Sequence, residues 1–116
     1  MTSFELEART HPDPGVRLVE VSGELDLTNA REVEAGLHEL VGDALVAVLD
    51  LNRVHFVDSA ALHALFRLAR RSGKLGLVLE PGAAIAPTLD IVGLSQVIPV
   101  AGTVADVLAA LASARA

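Results

Sequence analysis

Apolar and polar positions along this chain change period several times, and each change marks an element. Leu45-Val46-Ala47-Val48-Leu49 is a wholly apolar run, the pattern of a strand buried on both faces. Asp50 and Asn52 read as turn residues after it, in a turn that extends to Asp58-Ser59. From Leu62 the period becomes helical, with Leu62, Leu65, Phe66 and Ala69 forming one stripe. Ser59 is therefore expected at a helix N-cap, at the carboxyl end of a central strand. In open α/β sheets that edge is where ligands and partners are usually met.

The flanking segments follow the same logic. Phe4, Leu6 and Ala8 alternate with Glu5, Glu7 and Arg9, a half-exposed strand. His11-Pro12-Asp13-Pro14-Gly15 is turn chemistry and leads to a second strand over Val16 to Val21. Ser22-Gly23 is expected to break that strand, with Glu24 to Leu27 as a short extension. Thr28 or Asn29 then caps a helix whose stripe is Ala30, Val33, Leu37 and Leu40 or Val41, ended by Gly42-Asp43. After the helix from Ser59, Ser72-Gly73-Lys74 is a stop signal with the glycine suited to a left-handed position. Leu75 to Glu80 predicts a further strand and Ala83 to Val92 a short helix, with Pro87 in its first turn or breaking it. Val97 to Val100 predicts a brief edge strand. Thr103-Val104-Ala105-Asp106 resembles a capping box, and Val104, Val107, Leu108 and Leu111 stripe the last helix, with Ala112 to Ala116 fraying.

Strands that alternate with helices after an antiparallel first pair predict an α/β domain over 1–116. Its mixed sheet has four to five strands, packed against about four helices. Composition narrows what such a domain does. The net charge is −6, from 9 basic against 15 acidic residues. Only Arg67, Arg70 and Arg71 cluster, so the cationic stripe that nucleic acid demands is missing. Three phenylalanines with no Trp or Tyr provide no stacking platform for bases. The absence of cysteine removes disulfides and thiolate metal sites and points to a cytoplasmic setting. Mean hydropathy is high at +0.50. Even so, the longest uncharged run, between Asp90 and Asp106, is interrupted by Gly93, Pro99 and Gly102, and no membrane span is expected.

The order around the central strand is an apolar run, Asp50-Leu51, spaced Val54 and Phe56, then Asp58-Ser59 and Leu62. This resembles the signature of STAS domains, the anti-sigma factor antagonists of bacteria: apolar strand, Asp-Leu, spaced apolar residues, Asp-Ser-x-Gly-Leu. Gly23-Glu24-Leu25-Asp26 resembles a second motif of that family, Gly-Glu-Leu-Asp, and the likeness runs from Phe4 to Leu111. The family glycine is Ala61 here, a good helix former that suits a first turn. The resemblance implies a regulator and not an enzyme. Its partner would be an anti-sigma factor with serine kinase activity, which phosphorylates Ser59 with its own ATP. The face that meets the partner would comprise Asp26, Thr28, Asp58, Ser59, Ala61 and Leu62. The family also supplies soluble subunits of lipid-transport ATP-binding cassette systems, in which Ser59 would touch a partner without being modified.

The chemistry of a phosphate at Ser59 fits a switch. A helix N-terminus tolerates an anion, but about two negative charges would be added beside Asp58, and beside Asp26 if the two motifs share one sheet edge. Like charges about 4 Å apart at an effective dielectric of about 20 repel by about 4 kcal/mol. That is enough to turn a micromolar complex into a millimolar one. A hydrolytic reading of Ser59 with His63 and Asp58 fails, because no Gly-x-Ser-x-Gly elbow surrounds the serine. His63 is expected to face solvent. His11, His38, His55 and His63 lack zinc spacing, and Pro81-Gly82-Ala83-Ala84 lacks the lysine and hydroxyl of a phosphate loop. No catalytic residue, metal or cofactor is therefore expected.

Overall fold

The computed structural model describes residues 3–72 and 74–113. The stop glycine, Gly73, and the last three positions of the expected frayed end lie outside the described residues. Five strands form one sheet in the order β1-β2-β3-β4-β5: β1 Phe4–Arg9, β2 Val16–Leu25, β3 Val46–Val57, β4 Leu75–Val78 and β5 Val100–Ala101. β1 pairs antiparallel with β2, and every later pairing is parallel, so the sheet is mixed as expected. The helices are α1 Ala30–Val41, α2 Ser59–Arg71, α3 Ala86–Val92 and α4 Val104–Ser113.

One face of the sheet carries the main core. Val19, Val21, Leu49, Leu51 and Leu77 pack there against Val33 and Leu37 of α1 and Leu65 and Leu68 of α2. The other face is covered only in part. Val48 and Val78 meet Val107 and Leu111 of α4, with Val16 and Leu18 at the margin. Gly76 makes that contact close, because a Cβ there would overlap Val107 and stand 3.2 Å from Leu111 Cδ1. Beyond α4 the same face is polar. Glu20 binds Arg9 at 3.0 Å and lies 3.9 Å from Arg53. At the two edges, β1 exposes Glu5, Glu7 and Arg9, while β5 is two residues long.

The central strand departs most from its sequence pattern. Leu45 is 76% exposed and precedes the strand, which runs on to Val57 through the segment expected as a turn. Asp50 and Asn52 are strand residues. The reason lies in the pairing with β2, where Glu20 faces Asp50 but Ser22 faces Arg53, and Gly23 faces Val54 but Glu24 faces Phe56. β3 thus holds an extra residue at two places, and each bulge turns the following side chains to the opposite face. Leu51, Val54 and Val57 are buried in consequence, at a spacing of three instead of two.

Ser22-Gly23 does not break β2. Gly23 has φ of 101°, and a Cβ on it would overlap the Ser3 carbonyl oxygen and lie 2.9 Å from Phe4 Cα, so glycine lets the strand continue beside β1. β2 ends at Leu25, and Leu27 is outside it. β4 stops at Val78 and not Glu80, although Leu79 N still donates to Ala101 O at 2.8 Å. α3 begins at Ala86, with Pro87 in its first turn, and Gly93 ends it in the left-handed region. The edge strand is Val100–Ala101, because residues Leu94–Gln96 form a 3₁₀ turn that buries Leu94. Thr103 caps α4 as its box predicts, its Oγ accepting from Asp106 N at 3.1 Å.

Candidate functional site

The site forms where β2 and β3 end side by side. Asp58 N donates to Leu25 O at 3.2 Å, which brings the segment after β2 against the start of α2. Asp58 is extended (φ −115°, ψ −175°) and its Oδ1 accepts from Ala61 N at 3.0 Å, so it is the N-cap of α2. The expectation that Ser59 fills that position is corrected: Ser59 is the first helical residue. Two adjacent residues both suit a cap, and the extended backbone of Asp58 decides between them. The second carboxylate oxygen of Asp58 accepts from Leu27 N at 3.0 Å. One side chain therefore both starts the helix and ties down the opposing loop.

That loop, residues 26–29, is held from inside by Asn29, which is 6% exposed. Its Nδ2 donates to Glu24 O at 2.8 Å and its Oδ1 accepts from Asp26 N at 3.0 Å. Asn29 thus stands before α1 as expected, but its side chain braces the loop and does not cap the helix. Asp26 Oδ1 accepts from Thr28 N at 2.9 Å and also from the Thr28 hydroxyl. Leu27 projects from the loop with 76% of its surface exposed, and Phe56, near the end of β3, is half exposed.

Asp26, Thr28, Asp58 and Ser59 are therefore gathered at one rim, with Asp26 and Asp58 both acidic. Ser59 is exposed, and its hydroxyl takes no hydrogen bond among the described residues. The other two residues expected at the partner face are placed differently. Ala61 and Leu62 are 2% and 6% exposed and belong to the core. The buried side of α2 is Ala61, Leu62, Ala64, Leu65 and Leu68, with Phe66 and Ala69 only half buried. It is broader than the expected stripe because α2 packs its side chains against α1 and into the core cluster that the sheet residues share. His63 is exposed. Sequence reasoning offers Asn29 only as a helix cap and Leu27 only as the end of a strand extension; it identifies neither the brace nor the exposed apolar tip, which the polar residues around Leu27 hide. Among the described residues no cluster of three or more His, Asp or Glu could hold a metal, and no helix is long and apolar enough to cross a membrane.

A family model described as the STAS domain matches residues 6–107 of this chain. The chain belongs to the STAS domain family. This STAS chain is 30% identical over 105 residues to the anti-sigma-F factor antagonist RsfB of Mycobacterium tuberculosis, covering 87% of this chain and 85% of RsfB. It superposes with a TM-score of 0.78 on the crystal structure of an anti-sigma factor antagonist from Mycobacterium paratuberculosis, at 30% identity and with 94% of each chain covered. It shares its fold, at a TM-score of 0.52 and 20% identity, with the Bacillus cell fate determinant SpoIIAA in the phosphorylated form; 91% of this chain and 96% of that one are covered. In STAS terms, the Gly-Glu-Leu-Asp and Asp-Ser motifs meet through the hydrogen bond from Asp58 N to Leu25 O, and Asp58 also holds Leu27, the residue after the first motif.

Proposed function

We propose that this chain is an anti-sigma factor antagonist. Unmodified, it binds an anti-sigma factor that is also a serine kinase, and so frees a sigma factor; phosphorylated on Ser59, it lets go. The observation that carries this is the placement of Ser59, an exposed first-turn hydroxyl with no internal partner, on a rim built from both family motifs. The name of the 30% identical RsfB supports the antagonist role. Ala61, the departure from the family glycine, points its methyl group into the core. It therefore does not stand between α2 and a partner, and it gives no reason to separate this chain from the phosphorylated members.

The rim explains why phosphate would act as an off switch. The N–H groups of Ala61 and Leu62 are already bonded to Asp58, through Oδ1 and the carbonyl at 3.0 Å each. A phosphate on Ser59 therefore adds charge to an acidic rim whose cap is filled. One partner carboxylate brought within about 4 Å of that phosphate would cost about 4 kcal/mol at an effective dielectric of about 20, which corresponds to roughly a thousandfold weaker binding. No refolding of the domain is needed.

Incubation with a paired anti-sigma kinase and ATP, followed by mass spectrometry, is expected to place one phosphate on Ser59. Ser59→Ala is expected to bind that kinase as tightly as the unmodified chain, and Ser59→Asp roughly tenfold or more weakly. Phosphate on another residue, or equal affinity of the two variants, would overturn the proposal.

A further inference from the structure

Away from the rim, α1 and α2 lie side by side. Both return from the carboxyl ends of the parallel strands β2 and β3, so they run in the same direction and their first turns share the Ser59 rim. Between them is an open groove of about 520 Å³ lined by Arg31, Glu34, Ala35, His38, Glu39 and Arg71. Glu34 is fully engaged: Arg67 Nη2 donates to its Oε1 at 2.7 Å, and Arg67 Nε reaches both carboxylate oxygens at 3.0 and 3.1 Å. Arg31 and Arg71 are exposed and make no hydrogen bond or ion pair among the described residues. Two guanidinium groups without a bonded partner among the described residues thus line one trough in which Arg67 neutralises Glu34 and Glu39 is the remaining acid. Counting Arg67, three arginines stand against Glu34 and Glu39, on a chain whose net charge is −6.

We infer that this groove docks a carboxylate-rich segment of a protein partner, with Arg31 and Arg71 as its two anchors. Arginine suits the task because its planar fork matches a carboxylate with two parallel bonds. The aliphatic stems of both arginines and the methyl group of Ala35 supply an apolar floor for the segment between its acids. The groove favours an anionic occupant, because a cationic one would have only Glu39 to pair with unless it displaced Arg67 from Glu34, and it would face the guanidinium groups of Arg31 and Arg71. The docking groove leads from the rim along the two helices, so it extends the contact of the partner proposed above. Its existence does not require Ser59 to be modified.

The test uses Ser59→Ala, which cannot be phosphorylated, with an oligoglutamate peptide as probe. A chain of net charge −6 repels a polyanion in general, so saturable binding is diagnostic. Amide shifts in ¹⁵N spectra are expected at Arg31, Ala35, His38 and Arg71 and not at Leu27 or Ala60. The double variant Arg31→Glu/Arg71→Glu, which leaves Arg67–Glu34 in place, is expected to weaken binding about tenfold or more, whereas Arg17→Glu on β2 leaves it unchanged. Shifts centred on the first turn of α2 would overturn the inference and assign binding to the helix end. Equal affinity of the double variant, or the same shifts from inorganic phosphate alone at the same concentration, would overturn it too. Because the probe is read on Ser59→Ala, these outcomes are independent of whether Ser59 is a phosphate acceptor.

Discussion

Removing the Asp58 carboxylate separates the two assignments that sequence and structure make for the start of α2. In Asp58→Ala two N–H groups lose their acceptor, Ala61 N and Leu27 N, each at 3.0 Å from a different oxygen. Loss of an N-cap costs about 1 kcal/mol. The second bond is charge-assisted, but its donor sits in an exposed loop where water can replace the carboxylate, so it adds only about 1 kcal/mol, below the usual range for a bond to a charged group. The total is about 2 kcal/mol. Asp58→Asn keeps one carbonyl oxygen and can serve only one of the two donors, so it should fall between, at about 1 kcal/mol. Ser59→Ala removes a hydroxyl without a partner and should stay within about 0.5 kcal/mol of the natural chain. Urea unfolding followed by circular dichroism resolves the series, because at a slope of about 1.5 kcal/mol/M the Asp58→Ala midpoint falls by about 1.3 M. If Ser59→Ala costs as much as Asp58→Ala, the serine is the cap after all. If Asp58→Ala unfolds with the natural midpoint, the double anchoring is not a stabilising feature.

Other consequences are equally direct. Gly23→Ala should lower stability by about 2 kcal/mol or more, since its φ of 101° disfavours a side chain and a Cβ meets the backbone of β1; an unchanged urea midpoint would show that β1 does not lie where described. Asn29→Ala leaves Asp26 N and Glu24 O without their partner in a buried position, a loss of about 2 kcal/mol, and hydrogen exchange should quicken at Asp26 through Thr28 more than in α2. Uniform acceleration across the fold would contradict a local brace. The bonded Arg67 guanidinium holds the Glu34 carboxyl below its ordinary range, with Arg71 and His38 adding smaller attractions. A carboxylate lowered in the folded state stabilises at neutral pH and ceases to do so as pH falls through its folded value. The melting temperature of Arg67→Ala should therefore lie below that of the natural chain at pH 7, and the gap should close well below about pH 4. A gap that is constant with pH would mean that Arg67 acts by packing alone.

Much of this architecture is legible in the chain because period and punctuation agree. The alternation of Phe4 to Arg9, the stripe from Ala30 to Val41 and the Thr103 box each specify an element that forms as read. The misreadings cluster where tertiary pairing overrides period. The two bulges in β3 set Leu51, Val54 and Val57 three residues apart, which imitates an irregular turn. Asp50 and Asn52 are polar because α4 does not reach over their part of the sheet, where Asn52 Oδ1 accepts from Glu80 N at 2.7 Å and Asp50 accepts from Asn52 N. At the site, the motifs locate the rim and the exposed serine. They do not reveal which of Asp58 and Ser59 caps the helix, because capping depends on the backbone angle of one residue. Nor do they show that Ala61 and Leu62 turn inward, since their direction follows from the rotation of α2 against α1 and the sheet.

The two margins of the sheet bear on how the molecule meets its neighbours in a crowded cell. A lengthy, uncharged, unpaired strand invites another chain to zip onto it and begin a fibril. Here one margin is too brief to template anything, and the other places an acid or a guanidinium at every second position. Contacts through backbone ladders are thereby discouraged on both flanks. Selective, reversible encounters are left to the helical surfaces and to the end of the sheet where Ser59 stands.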